Sequence, residues 1–75
     1  MDTKMIYIPL LDEGTVVFRP TQAEMISEMV FRVLPTENFN PNDEHWAFPP
    51  GSIVKCENQM ISGKLELVAK EKVDT

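Results

Sequence analysis

The sequence predicts an all-β fold, a small five-stranded antiparallel barrel or meander of the Src-homology-3-like type. Three observations carry that expectation. Five short runs rich in β-branched and aromatic residues are punctuated by turn residues at the spacing small barrels use. In the clearest of them, Lys64-Leu65-Glu66-Leu67-Val68-Ala69-Lys70-Glu71, apolar and charged residues alternate with the two-residue period of a half-buried strand. And 75 residues, 43% hydrophobic and 25% charged, make one globular domain with no repeat, linker or low-complexity segment. The domain reading is 1–75, with 72–75 as a frayed tail.

The elements follow in order. Met5-Ile6-Tyr7-Ile8-Pro9-Leu10-Leu11 is too short for a typical helix and carries a proline, so it reads as an edge strand with Ile6, Ile8 and Leu10 on one face and Tyr7 opposite. Asp12-Glu13-Gly14-Thr15 is a turn in which Gly14 is expected to supply the unusual backbone angles. A second strand starts at Thr15-Val16-Val17-Phe18 and continues past a bend or bulge at Pro20. Residues 22–29 also carry a helical signal in Ala23, Ile26 and Met29, but a helix there would be short and would follow directly on a strand. Strand is therefore expected.

Ser27-Glu28 reads as a tight connection to a third strand, with Met29, Phe31 and Val33 on one face and Arg32 on the wetter one. Residues 35–45 hold two prolines, three asparagines and three acids around Phe39, and form the longest loop. Pro49-Pro50-Gly51 is a rigid turn that sets the entry angle of a fourth strand, with Val54 and Cys56 inward and Lys55 and Glu57 outward. Ser62-Gly63 turns the chain into a fifth, whose inward residues are Leu65, Leu67 and Ala69.

Charge and chemistry narrow the function classes. Twelve acids against seven bases give −5, a balance unsuited to gripping phosphate backbones, so nucleic acid is not an expected partner. No apolar run approaches the ~18–20 residues of a membrane helix, and no membrane partner is expected. The stretch Met1-Asp2-Thr3-Lys4 to Pro9 does not read as a secretion signal, and one cysteine cannot form an internal disulfide, so a reducing cytoplasm is expected.

His45 and Cys56 are the conventional base and nucleophile candidates. Cys56, however, falls on the inward phase beside Val54, and His45 lies in an acidic loop where a solvated imidazole costs nothing. Paired CxxC or HxxxH spacing is absent, and Asn40-Pro41-Asn42-Asp43 lacks the glycine and final glutamate of a calcium loop. Gly51 follows Pro-Pro rather than opening a helix, so it cradles no phosphate. No catalytic residue, metal or cofactor is expected, and the protein reads as a non-enzyme.

The aromatic residues point to binding. Rings at loop–strand junctions anchor peptides or partner proteins, and small barrels place acids beside such grooves. Trp46 and Phe48, with Asp43, Glu44, Arg19 and Tyr7, would suit a basic or proline-rich protein or peptide. The core competes for the same rings, because a domain this small buries only about 60% of the surface its unfolded chain exposes. Arg19 and Glu44 have a competing reading too, as a structural ion pair. The other expected partner is a second copy of the chain, sealed by the apolar excess of Met5, Met25, Ile26, Ile53 and Val68.

Leu11-Asp12-Glu13-Gly14-Thr15, Phe18-Arg19-Pro20, Ala23, Glu44, Trp46, Phe48-Pro49-Pro50-Gly51-Ser52, Val54 and Cys56 together give the chain its most distinctive pattern. In it the chain resembles a group of short uncharacterised bacterial proteins, over most of residues 7–58. The resemblance implies a bacterial, cytoplasmic, single-domain protein and carries no activity, cofactor or catalytic residue.

Overall fold

The computed structural model describes residues 2–74, and its strands form a closed barrel in chain order. They are β1 (Thr3–Pro9), β2 (Phe18–Ser27), β3 (Val30–Val33), β4 (Ile53–Ile61) and β5 (Lys64–Lys72). The fold is thus all-β, as the alternation predicts, with no helix among the described residues, and is compatible with a small Src-homology-3-like barrel. Consecutive strands pair antiparallel, whereas β1 closes on β5 in parallel at Tyr7 and Val68. Parity requires this: the first and fifth strands of an up-and-down meander run the same way. The expectation of a wholly antiparallel sheet holds for four of the five pairings.

The core is the set of inward phases. Ile6 and Ile8 of β1, Ala23 of β2, Phe31 and Val33 of β3, Val54 and Cys56 of β4 and Ala69 of β5 are buried, and Trp46 joins them from a loop. Thr21 is the one buried polar side chain among the described residues, and its hydroxyl donates to the Leu34 carbonyl at 2.7 Å.

Several local details depart from the sequence reading. β2 starts at Phe18 rather than Thr15, leaving Val16 81% exposed in the β1–β2 loop. Pro20 makes no bulge, for the β1–β2 register runs unbroken through Tyr7 and Pro20. The Gln22 carbonyl accepts from Leu34 N–H on the β3 side of β2. Two residues back, Pro20 presents its missing N–H to that same side, beyond the end of β3. The bulge lies at Ile26, since Met25 pairs with Phe31 and Ser27 with Val30. The positive φ of the first turn falls on Asp12 (63°), not Gly14.

Ser62 (φ 51°) and Gly63 (φ 84°) turn the β4–β5 hairpin with two left-handed residues, the form whose twist matches the flanking strands. In β5, Cys56 faces Ala69 while Lys55 faces Glu71, so Lys70 is the extra residue of a second bulge, and Val68 and Ala69 are both buried. Leu65, expected inward, is 66% exposed, because β4 and β5 run on together past the end of β3. At the other end Lys72 belongs to β5 and Val73 N–H donates to the Ile53 carbonyl at 2.8 Å, so the expected fray does not begin at 72. Thr75 lies outside the described residues.

Candidate functional site

The two ends of the barrel are built differently. One end is shut by the chain between β3 and β4. Residues 45–47 lie against 9–11: Leu11 N–H donates to the His45 carbonyl (2.7 Å), Ala47 N–H to the Pro9 carbonyl (2.9 Å), and Leu10 bridges Trp46. Across Pro50-Gly51, Ser52 N–H donates to the Pro49 carbonyl (3.0 Å), and Gly51 takes φ 93°. A proline second and a positive-φ glycine third is the type II pattern. Gly51 N–H then donates to the Val33 carbonyl (2.8 Å) and Val33 N–H to the Ser52 carbonyl (2.9 Å), aiming the chain into β4.

These contacts lower Trp46 into the barrel. It is 5% exposed, with Phe39 edge-on to it at a centroid distance of 4.8 Å and an interplanar angle of 70°. Of the two roles open to this ring, surface anchor and core, the structure gives it the core, so Trp46 offers no face to a partner. Phe48 is half-buried and packs against the same cluster.

Glu44 clamps this end. Its carboxylate accepts from Arg19 Nε at 3.1 and 3.0 Å, also from Arg19 Nη2, and from the Trp46 indole N–H at 3.1 Å. Those hydrogen bonds, Arg19 first and Trp46 second, hold the Glu44 carboxyl below its ordinary pKa of 4.5. The Glu44 hydrogen bond likewise raises Arg19 above its usual value. Arg19, Glu44 and Asp43 do line one hollow of about 480 Å³, with Pro20, Thr36 and Asn40. Within it the guanidinium is already satisfied by a carboxylate of its own chain.

Tyr7 is not brought to that hollow. On the outward phase of β1, its hydroxyl is raised above its ordinary pKa by a hydrogen bond to Glu66 of β5. His45 Nδ1 lies 2.6 Å from Asp12 Oδ2, an exposed link between two loops. The Cys56 thiol is buried, and desolvation pushes it up to about 11, far from a reactive thiolate. Among the described residues no three His, Cys, Asp or Glu side chains converge as metal ligands.

The opposite end is open. Every strand sends an inward-phase residue to its rim: Lys4, Met25, Phe31, Asn58 and Leu67. With Ile26, Met29, Asp2, Ser27 and Glu28 they line a groove of about 700 Å³, floored by Phe31, in which methionine and aliphatic side chains share the wall with Asp2, Lys4, Ser27, Glu28 and Asn58. Beyond it, the β4–β5 hairpin projects as an arm. Strand alternation puts Met60 and Leu65, which face each other, on the side of Cys56 and Ala69. They are 62% and 66% exposed. The arm's other face carries Glu57, Gln59, Lys64 and Glu66 with Ile61 near the turn, and Lys70 Nζ donates to Gln59 Oε1.

Of the five residues expected to seal a self-contact, Met5, Met25 and Ile26 gather at this end. Ile53 stands at the closed end, and Val68 is fully buried. Met29, Met60 and Leu65 were not among the expected contact residues. Their signal, an apolar phase continuing past the strand they would pack on, emerges only once β3 is known to be short.

The site is thus a mouth of mixed apolar and charged lining on a closed, capped β-barrel. Comparison with family models, curated proteins and solved structures gives no match for this chain. No helix among the described residues is long and apolar enough to cross a membrane.

Proposed function

We propose that this protein is a small non-enzymatic interaction module of the bacterial cytoplasm, making its protein contacts at the open mouth. One observation carries the reading. Met25, Ile26 and Met29 line the groove, and Met60 and Leu65 stand exposed on the hairpin that runs on from it, in a domain that has little apolar area to spare. Methionines suit such a role because the unbranched thioether repacks around whatever it meets. The net charge of −5 favours a protein over a nucleic acid. The unreactive Cys56 favours binding over chemistry. The bacterial placement rests on the resemblance of the Leu11–Cys56 pattern, and the reducing compartment on the single cysteine. A homo-oligomer is the particular case in which the mouth meets a second copy.

The test is capture of a partner, or of tagged chain by untagged chain, with a lysine in place of Leu65 or Ile26. Val16→Lys, at the far end, is the control. Capture lost by both mouth variants and kept by the control supports the reading. Capture indifferent to the mouth overturns it.

A further inference from the structure

We infer that Met25, Met29 and Met60 are an oxidation site, at which a hydroperoxide turns the mouth from a contact surface into a polar one and leaves the fold standing. This rests on the mouth being the contact surface. Sulfur is unevenly placed in the barrel. Among the described residues it occurs at Met5, Met25, Met29, Met60 and Cys56. The four methionines are all at the open end, Met25 and Met29 in the groove wall and Met60 on the arm, and the closed end has none. Met60 is 62% and Met5 47% exposed, while Met25 and Met29 are half-buried. Cys56 is 1% exposed and its thiol stays protonated, so the same reagent does not reach it.

Met29 carries a second, independent sign. It takes φ 63° in the β2–β3 turn, a left-handed angle that glycine adopts at less cost. Its carbonyl accepts from the Cys56 N–H at 2.7 Å, which fixes the turn against β4. A thioether thus stands at a strained backbone position and lines the groove from there.

The step needs only the thioether and the oxidant. The sulfur attacks the hydroxyl oxygen of the hydroperoxide, and an S–O bond forms as the O–O bond breaks. Sulfur gives up two electrons, which the leaving oxygen gains. That oxygen takes the proton of the attacked hydroxyl and departs as water or an alcohol, leaving the sulfoxide. A polar acceptor then stands where an adaptable apolar chain stood. The fully buried core contains no methionine, and of the four only Met25 packs against it, opposite Phe31. Oxidation therefore changes the mouth and spares the barrel, and reduction of the sulfoxide reverses it.

Hydrogen peroxide is the probe oxidant, read by peptide mass mapping of each sulfoxide, circular dichroism melts and titration with the hydrophobic dye anilinonaphthalene sulfonate. The variants are Leu65→Lys and the combined Met25→Leu, Met29→Leu and Met60→Leu. The expected result is sulfoxide at Met60 first and at Met25 and Met29 after it, with Cys56 unchanged. The oxidised chain binds the dye about tenfold more weakly than the reduced one and melts within about 5 °C of it. Methionine sulfoxide reductases restore dye binding, and the leucine variant binds the dye equally before and after peroxide. Oxidation that unfolds the chain, that spares Met25 and Met29, or that leaves dye binding unchanged overturns the inference. The reduced protein tells two failures apart. Dye binding lost in Leu65→Lys but untouched by oxidation removes the oxidation site alone. No dye bound by reduced wild type, or binding indifferent to Leu65→Lys, removes the mouth as a contact surface as well.

Discussion

The two ends of this barrel hold opposite kinds of residue and put them to opposite uses. The closed end gathers the conspicuous sequence, Leu11–Thr15, Arg19-Pro20, Glu44–Trp46 and Phe48–Ser52, and puts Arg19, Glu44, Trp46, Gly51 and Ser52 into internal contacts while the side chains of Leu11–Thr15 stand exposed. Trp46 plugs the interior, Phe39 meets its edge, and Glu44 ties it to β2 through Arg19. At the open end the sequence is plain, with methionine, leucine and isoleucine in ordinary strands, yet the apolar surface there is unpaired within the chain. Distinctive residues mark the demanding part of a fold, where a long loop must be held without strands of its own. Here that is the cap, and the proposed contacts fall at the plainer end.

That contrast can be broken at either end. The largest effect is expected from Trp46→Ala. Removing a buried tryptophan costs about 3–5 kcal/mol, comparable to the ~3–5 kcal/mol a core of this size supplies. Circular dichroism and thermal melting should find little folded protein. A clean melt within a few degrees of wild type would put Trp46 outside the core.

Glu44→Ala comes next, at about 1–2 kcal/mol. The Arg19 side chain is 44% exposed, so water screens the ion pair and more of the loss comes from the unpartnered Trp46 indole. The same group sets a pH dependence. Glu44 has its folded pKa held below 4.5, so its stabilisation is full above about that pH and fades as pH falls through the lower folded value. Urea midpoints from pH 7 to 3 should fall less steeply in Glu44→Gln than in wild type. Parallel curves would mean that Glu44 is not held as an anion.

The smallest effect sharpens the comparison most. Leu65→Ser, a large apolar residue lost from the open end, should shift monomer stability by less than about 0.5 kcal/mol in dilute urea titrations. A loss near that of a core leucine would make the arm part of the fold's own packing.

Much of this barrel was legible in the residues, for reasons that can be given one by one. Ile6 and Ile8, Phe31 and Val33, Val54 and Cys56 all lie inward as two-residue periodicity predicts, because each strand there has neighbours on both edges. Residues 22–27 are strand, not helix: pairing with β1 and β3 outweighs a helical spacing too short to stand alone. Ser62-Gly63 turned as its composition implied.

What was not legible depends on neighbours. Leu65 has the right phase but no strand beyond it to cover it. The length of β3 decides that, and β3 begins only after a Glu28-Met29 turn, one residue later than the expected Ser27-Glu28 connection. Asp12 rather than Gly14 took the left-handed angles, a role a short polar side chain tolerates. The candidate site was half legible. Arg19, Asp43 and Glu44 do meet, and their pairing could be expected from charge. Trp46 and Phe48 could have been surface or core on composition alone, and only the bridge from Leu10 to Trp46 decides between them.

The central claim is that the open end makes the protein's contacts and the closed end only holds the fold. Backbone amide NMR spectra recorded while the hydrophobic dye anilinonaphthalene sulfonate is added test it most directly. The account predicts shifts that move with the dye at residues 2–5, 25–29 and 57–67, while the amides of 39–52 stay fixed. Dye-dependent shifts centred on Trp46 and its loop, with the mouth unmoved, would contradict it.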